Sequence, residues 1–310
     1  MRTIKLGKSG LDVPVIAVGC MRMNGLDKSA ADRFIKSALD MGANFFDHAD
    51  IYAGGECEAL FGEASGMNAD LREKVILQSK CGIVIENKSG TMYDFSKKHI
   101  LESVDGSLKR LKTDYLDVLL LHRPDTLAEP EEVAEAFDIL QANGKVRHFG
   151  VSNQDPYFIQ LLQSALKQPI VANQMQLSLM SASLVTQLLN MNMPDEPAVD
   201  RDNGTLSFCR LNNITVQAWS PFQYGFFEGV FVGNEKFPVL NAKLDEMAAK
   251  YGVSPTTVVA AWILRHPAKM ITVTGTMNTQ RLRDCVKAAE VTLSREDWYA
   301  LYLAAGHRLP

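Results

Sequence analysis

Short apolar runs, rich in β-branched residues, alternate along the chain with longer stretches whose apolar positions recur at helical spacing. The runs cover 15–19, 44–48, 75–80, 116–122, 148–153, 171–176, 215–221 and 270–275. Their length and composition predict strands. Several are apolar nearly throughout, as in Leu116-Asp117-Val118-Leu119-Leu120-Leu121. A strand covered on both faces by helices has this pattern.

The intervening stretches carry helix start and stop signals. The first places Ser29 as the N-cap, Phe34, Ile35, Ala38 and Leu39 on one face, and Gly42 past the end. A later one opens at Ser96 and buries Ile100, Leu101, Val104, Leu108 and Leu111. Pro130 starts the next, with Val133, Phe137 and Leu140 inside and Gly144 after it. Ser254-Pro255 leads Val258, Val259, Trp262 and Ile263, and that helix stops before Pro267. Proline at the start and glycine after the end is the usual asymmetry of helix termini.

Eight strand-like runs alternating with helices over 310 residues fit an α/β (β/α)8 TIM barrel, read as one domain over 1–310. Residues 3–6 and 12–14, around Ser9-Gly10, read as a hairpin that plugs the bottom of the barrel. Segments 189–203 and 223–237 read as long loops, which are usually functional in a compact domain.

Composition narrows the class. At 46% hydrophobic residues the chain has ample apolar material to bury, which excludes disorder. A net charge of −4 argues against a nucleic-acid partner. No apolar run approaches the ~18 residues of a membrane span, and residues 1–8 have no signal-like apolar core. Cys20, Cys57, Cys81, Cys209 and Cys285 are scattered and unpaired in the sequence, with no second ligand at zinc spacing. The expectation is free thiols, a cytoplasmic protein, no metal, no membrane and a small-molecule substrate.

Barrel chemistry collects at the carboxyl ends of the strands. There the runs end in Asp47, with Tyr52 just beyond, then Lys80, His122, Ser152-Asn153, Gln174, Trp219-Ser220 and Gly275-Thr276. Apolar strands that finish repeatedly in polar groups predict a ring of such groups around one mouth.

These motifs, in this order, resemble the aldo-keto reductase family. Phe45-Phe46-Asp47-His48-Ala49-Asp50-Ile51-Tyr52 is similar to the signature around its catalytic aspartate and tyrosine. Gln78-Ser79-Lys80 is similar to its lysine strand, and Leu116 through Leu121-His122-Arg123-Pro124-Asp125 to its histidine strand. Gly144 through Gly150-Val151-Ser152-Asn153 and Asn173-Gln174 resemble the strands that hold the nicotinamide amide. The likeness spans essentially the whole chain and is nearest to bacterial oxidoreductases with a short carboxyl tail. It implies a barrel with an N-terminal hairpin and two extra helices, and reversible reduction of aldehyde or ketone carbonyls by NAD(P)H.

In that reaction Tyr52 is the expected general acid and base. A free phenol has a pKa of about 10, and the Lys80 ammonium is expected to lower it. Asp47 would keep Lys80 charged and aimed, and His122 would orient the carbonyl oxygen and serve as a proton partner. His48 follows Asp47 and should point the other way along the strand. Asp50 reads as a loop or helix-capping residue.

No G-x-G-x-x-G follows a strand, and Gly7-Lys8-Ser9 lacks the upstream glycine of a P-loop. Tyr93 and Lys97 have the Tyr-x-x-x-Lys spacing of short-chain dehydrogenases, but without that family's glycine-rich turn. The resemblance instead lays the dinucleotide across the barrel mouth. Trp219 stacks on the nicotinamide, with Gly19, Cys20 and Met21 on the ring's opposite side. Ser152, Asn153 and Gln174 fix the carboxamide, and Ser220 and Phe222 face the pyrophosphate. Gly275, Thr276, Asn278 and Arg281 take the adenosine end, Arg281 as a forked partner of a 2′-phosphate. Asp284 and Cys285 approach the adenine. This favours NADP(H). Gly275 stands where many members carry a lysine, which leaves NAD(H) use open.

Substrate contacts are expected from Met21, Met23, Tyr52, the loop Gly90-Thr91-Met92-Tyr93 and residues 222–231, and they suit small aldehydes, ketones or a ring carbonyl. The short stretch 303–310 predicts an open pocket. The same resemblance admits a second class, a nucleotide-binding accessory or scaffold protein with little turnover. A barrel enzyme of another reaction class would need a metal cluster or paired carboxylates, which the sequence does not present.

Overall fold

The computed structural model describes residues 1–86 and 90–310. Eight parallel strands close into a barrel in chain order. They are β1 (Ile16–Gly19), β2 (Phe45–Asp47), β3 (Ile76–Cys81), β4 (Leu116–Leu121), β5 (Val146–Ser152), β6 (Ile170–Gln176), β7 (Thr215–Trp219) and β8 (Ile271–Thr274). All eight expected strands are present, with ends displaced by a residue or two. Neighbouring registers bring Gly19 beside Asp47, Asp47 beside Gln78, and Gln174 beside both Ser152 and Gln217.

Strand periodicity explains how this scaffold builds a site. Alternate residues point into the barrel. At its lower end the interior holds Ala17, Phe45, Ile76, Val118, Leu120, Val171, Ala172, Ile271 and Val273 in one apolar cluster. Two residues on from Phe45 is Asp47. Two and four on from Ile76 are Gln78 and Lys80, and two on from Leu120 is His122. The inner face therefore changes from apolar to polar as each strand approaches its carboxyl end. The other parity (Phe46, Leu77, Leu119, Leu121, Val216 and Ala218) packs outward against the helices in a second, larger cluster.

Strand Thr3–Lys5 pairs antiparallel with Asp12–Pro14. Leu6 and Val13 from this hairpin are buried in the lower interior cluster, so it closes the barrel floor. Gly7 makes that approach feasible. Its φ is +49°, its N–H donates to Thr215 Oγ1 at 2.8 Å, and a Cβ there would run into the Val171 carbonyl.

Helix Lys28–Asp40 is capped by Asp27, whose carboxylate accepts from the Ala30 N–H at 2.7 Å, and not by Ser29. Ser29 lies in the first turn and accepts from Arg33 at 2.6 Å. Ser96 and Ser254 cap Lys97–Leu111 and Pro255–Leu264, and Pro130 opens Pro130–Ala142. The two extra helices are Pro238–Tyr251 and Arg295–Ala304. They are tied together by the Asp297 carboxylate, which accepts from Lys250 Nζ at 2.8 Å and from the Tyr251 hydroxyl. The segments after β2 and β6 are each split into two helices.

Two expected loops carry structure. Gly90–Tyr93 is a strand paired with Ile83–Glu86, and residues 223–237 contain a short hairpin, Gln223–Tyr224 with Gly229–Val230. Segment 189–203 has only the single turn Glu196–Ala198. Among the described residues no helix is long and apolar enough to cross a membrane.

Candidate active site

Asp47, at the end of β2, is buried beneath the barrel mouth. Its Oδ1 accepts from Lys80 Nζ at 2.8 Å, Gln78 Nε2 at 2.6 Å and Gln174 Nε2 at 3.1 Å. Lys80, fully buried on β3, donates to both Asp47 oxygens (2.8 and 2.9 Å), to the His48 carbonyl at 2.7 Å, and to Tyr52 Oη at 3.0 Å. An ammonium has donors only. Tyr52 must therefore accept from Lys80, which leaves its own O–H to donate elsewhere. The Tyr52 and His122 rings meet edge-on with centroids 6.0 Å apart. The geometry thus brings the three expected partners, Asp47, Lys80 and His122, together with the Tyr52 phenol.

Burial pushes the Tyr52 phenol up from its ordinary value of 10.0. The Lys80 charge pulls it down, and the Asp47 charge pushes it up again. The net direction is upward, contrary to the expected lowering, because burial outweighs the ammonium's pull, which Asp47 further offsets. A phenol held up in this way stays protonated at neutral pH, the form an acid needs. Burial alone would lower Lys80, but Asp47 and Tyr52 favour the ammonium and raise it overall. Burial, with Lys80 and Arg123 nearby, holds His122 well below its usual 6.5. Its imidazole is neutral at pH 7, and its Nδ1 is buried without a partner.

Two functional positions escaped the sequence reading. Gln78 and Gln217 exchange amide hydrogen bonds at 2.8 Å in both directions, and Gln174 Nε2 donates to Gln217 Oε1 at 2.9 Å. This buried glutamine triangle lies beneath Asp47 and helps fix its carboxylate. The inner-face parity that selects Lys80 also selects Gln78, so the signal was present. Gln174 borders the cavity, but both its N–H groups are committed to Asp47 and Gln217. Only its carbonyl oxygen is left for a ligand.

At the exits of β5 and β7 a chain of hydrogen bonds orders the rim. Trp219 Nε1 donates to Asn153 Oδ1 at 3.0 Å, Asn153 Nδ2 to Ser152 Oγ at 2.8 Å, and Ser152 Oγ to the Gln174 carbonyl at 3.0 Å. Asn153 and Ser220 take φ of +56° and +52°, strained for side-chain-bearing residues. The Trp219 indole also stacks on Phe227 at 5.9 Å and meets Phe226 edge-on at 6.4 Å.

Above this layer opens a cavity of about 1140 Å³. It is bordered by Tyr52, Asp47 and His122 at one side, and by Ser152, Asn153, Gln174, Trp219, Ser220 and Phe222 along the rim. Gly275, Thr276, Asn278, Arg281 and Cys285 border the far side, with Gly19 and Met21 between. Cys20 and Asp284 do not border it. Cys20 is fully buried in the outer cluster, its thiol donating to the Val18 carbonyl at 3.5 Å. On helix Thr279–Lys287, Arg281 and Cys285 lie one turn apart on the cavity side, whereas Asp284 accepts from Gln280 at 3.3 Å. Met23, Gly90 and Met92 do not border the cavity either; Thr91 and Tyr93 do. Lys97 is spent on an exposed pair with Glu135, so it shares no site with Tyr93.

Arg22 was also missed. A Cβ at Gly275 would lie 2.8 Å from Arg22 Nη1 and near no other atom, and Arg22 Nη1 donates to the Gly275 carbonyl at 3.4 Å. The space a side chain at 275 would take is occupied by a guanidinium from the loop after β1. Arg22 borders the same cavity as Arg281.

Behind the site, His48 packs edge-on against Phe61 at 4.7 Å, and burial lowers it to about 3, so it is a neutral structural ring. Asp50 caps no helix. Burial and the Glu58 carboxylate push it up from 3.8 to about 7. A carboxyl whose folded pKa exceeds its unfolded one binds more protons when folded, so stability falls as pH rises through that window. Asp50→Asn removes the penalty. Its stability relative to wild type should improve by roughly 2–3 kcal/mol between about pH 5 and about pH 8. Urea unfolding at the two pH values tests this, and a pH-independent difference would refute the assignment. The five cysteines are all buried and free, and among the described residues no His, Cys, Asp and Glu group could hold a metal ion.

The fold is thus a closed eight-stranded parallel barrel whose mouth holds a buried lysine hydrogen-bonded to a tyrosine. The model of the Aldo/keto reductase family matches residues 15–302, and the chain belongs to that family. Over 320 residues, covering 100% of both chains, it is 37% identical to the uncharacterized oxidoreductase YcsN of Bacillus subtilis (strain 168). It is 37% identical to a 6-dehydroglucose reductase of Agrobacterium fabrum over 87% of this chain and 86% of that one. The crystal structure of a thermostable aldo-keto reductase, Tm1743, bound to the inhibitor epalrestat, is similar with a TM-score of 0.75. That pair is 28% identical and covers 98% of this chain and 100% of the other.

Proposed function

We propose that this chain is an NADP(H)-dependent reductase that reversibly converts aldehyde or ketone carbonyls to alcohols, with Tyr52 as general acid and base. The observation that carries the reading is the Lys80–Tyr52 hydrogen bond at the cavity wall. It turns the phenol's proton away from the Lys80 ammonium and leaves it free for a carbonyl oxygen in the cavity. When bound, the dinucleotide supplies the hydride for the carbonyl carbon.

The chain's own residues do the rest. Neutral His122 donates a hydrogen bond that places the carbonyl oxygen beside the Tyr52 hydroxyl. Tyr52 gives its proton to that oxygen as charge develops there, and Lys80, held by Asp47, stabilises the phenolate left behind. In the oxidative direction the phenolate takes the proton back. A rigid Ser152–Asn153–Trp219 chain favours pre-organised binding of a planar amide-bearing ring.

The residues present fit the dinucleotide. The cavity runs from Tyr52 across the mouth to Asn278 and Arg281, and the only carboxylate on it among the described residues, Asp47, is taken by Lys80. Arg281 and Arg22 supply two cations on the wall beside Gly275, which supports a 2′-phosphate and hence NADP(H) over NAD(H). Arg22 thus offsets the missing lysine at 275. Arg22→Ala should lower the ratio of NADPH to NADH affinity by about tenfold. Gly275→Ala, which displaces that guanidinium, should act in the same direction in wild type and add nothing in the Arg22→Ala background. Fluorescence titration with both cofactors measures this; an unmoved ratio would show that Arg22 does not read the 2′-phosphate. Five buried free thiols suit a reducing, cytoplasmic setting.

The reading is tested by NADPH and NADH oxidation with a panel of reactive aldehydes and ketones. Quenching of cofactor fluorescence without turnover would favour the accessory or scaffold role instead.

A further inference from the structure

Arg123 follows His122 at the exit of β4 and borders the cavity. It is partly buried, yet among the described residues it has neither an ion pair nor a hydrogen bond. Its one polar-aromatic contact is over Trp219, with Cζ 5.8 Å from the ring centroid. Burial lowers its pKa from the ordinary value, against a smaller opposing effect of Tyr93 and Tyr52.

Its place in the ring matters. β4 and β8 are four strands apart in a closed set of eight, so their exits face each other across the mouth. Arg22 and Arg281 stand on the β8 side, where the dinucleotide phosphates are placed. Arg123 stands opposite, beside the reacting groups. Among the described residues, the charged groups bordering the cavity are these three arginines and Asp47, and the aspartate is neutralised by Lys80. The third guanidinium is therefore left without a counter-charge when a dinucleotide occupies the other two. The Trp219 ring it faces is packed against Phe226 and Phe227, and both border the same cavity. Partial burial of an unpaired cation is costly, and an anion delivered by a ligand offsets the cost. A planar guanidinium matches a planar carboxylate by two parallel hydrogen bonds.

We infer that the natural substrate is a carbonyl compound bearing a carboxylate, an oxo acid or carboxylated aldehyde, with Arg123 holding the carboxylate while Tyr52 and His122 take the carbonyl oxygen. This rests on the reductase reading above and narrows its substrate class.

The test compares matched pairs, 4-carboxybenzaldehyde with benzaldehyde and succinic semialdehyde with butanal, by kcat/KM under saturating NADPH. Wild type should prefer the carboxylated member by about tenfold or more, chiefly through KM, and the preference should shrink with added salt. In Arg123→Met the ratio should fall to about one, and Arg123→Lys should restore part of it. A wild-type ratio near one, or a ratio unchanged in Arg123→Met, overturns the inference. Turnover of the uncharged member reads the reductase activity itself, so the two failures are distinct. A second measurement needs no turnover: benzoate binding to the NADP-loaded protein, followed by tryptophan fluorescence, should weaken by about tenfold in Arg123→Met. Equal affinity in both proteins would also overturn it.

Discussion

Tyr52→Phe is expected to lower kcat for carbonyl reduction by about 10²–10⁴-fold while NADPH still quenches on binding. The substitution keeps the ring and its edge-on packing with His122, but it removes the only hydroxyl to which Lys80 donates. Without it, no proton donor stands between the buried ammonium and the substrate oxygen. The pH profile of wild type is part of the same expectation. Reduction needs the protonated phenol, and burial holds Tyr52 above its ordinary 10.0. Activity in that direction should therefore be flat through neutral and mildly alkaline pH and fall only as pH rises through the raised phenol value. His122, neutral throughout, should add no limb near its ordinary 6.5. Stopped-flow single turnovers check both points, and a Tyr52→Phe protein with near-normal turnover would remove Tyr52 from the reaction.

Lys80→Met should damage both fold and function. It leaves the Asp47 carboxylate buried with glutamine amides but no counter-ion. Breaking a buried pair from one side typically costs roughly 3–5 kcal/mol, so urea unfolding should shift strongly. Adding Asp47→Asn should recover much of that stability, because the stranded charge is gone. It should not recover turnover, since nothing then stabilises the phenolate. If the single variant were as stable as wild type, the Asp47–Lys80 pair would not be the clamp described here.

Much of this arrangement was readable from residue order. The eight strand positions followed from short apolar runs, and the residues at their ends were Asp47, Lys80, His122, Asn153 and Trp219. The hairpin at the floor followed from Ser9-Gly10 between two short extended stretches. The misses have particular causes. Ser29 and Asp27 are both good caps two residues apart, and only the backbone path decides which carboxyl or hydroxyl meets the free N–H groups. Cys20 was grouped with Gly19 and Met21 by adjacency, but one residue along a strand exit reverses the direction of a side chain. Asp284 is expected beside Cys285 at the adenine, yet its carboxylate accepts from Gln280 and does not border the cavity.

The chain's alternation of short apolar runs and amphipathic stretches determined the barrel, and period-two parity determined which polar residues would crowd its mouth. Tertiary structure alone decided what those residues do to one another. Asp47, Gln174 and Gln217 are far apart in sequence, and only barrel closure makes them one hydrogen-bonded layer. Closure likewise puts Arg22 into the space that Gly275 leaves empty and sets Arg123 across from it without a partner. The net upward displacement of Tyr52 arises in the same way. Desolvation and the opposing charges of Lys80 and Asp47 act over a few ångströms through a low-dielectric interior, and such distances exist only once the ring has closed.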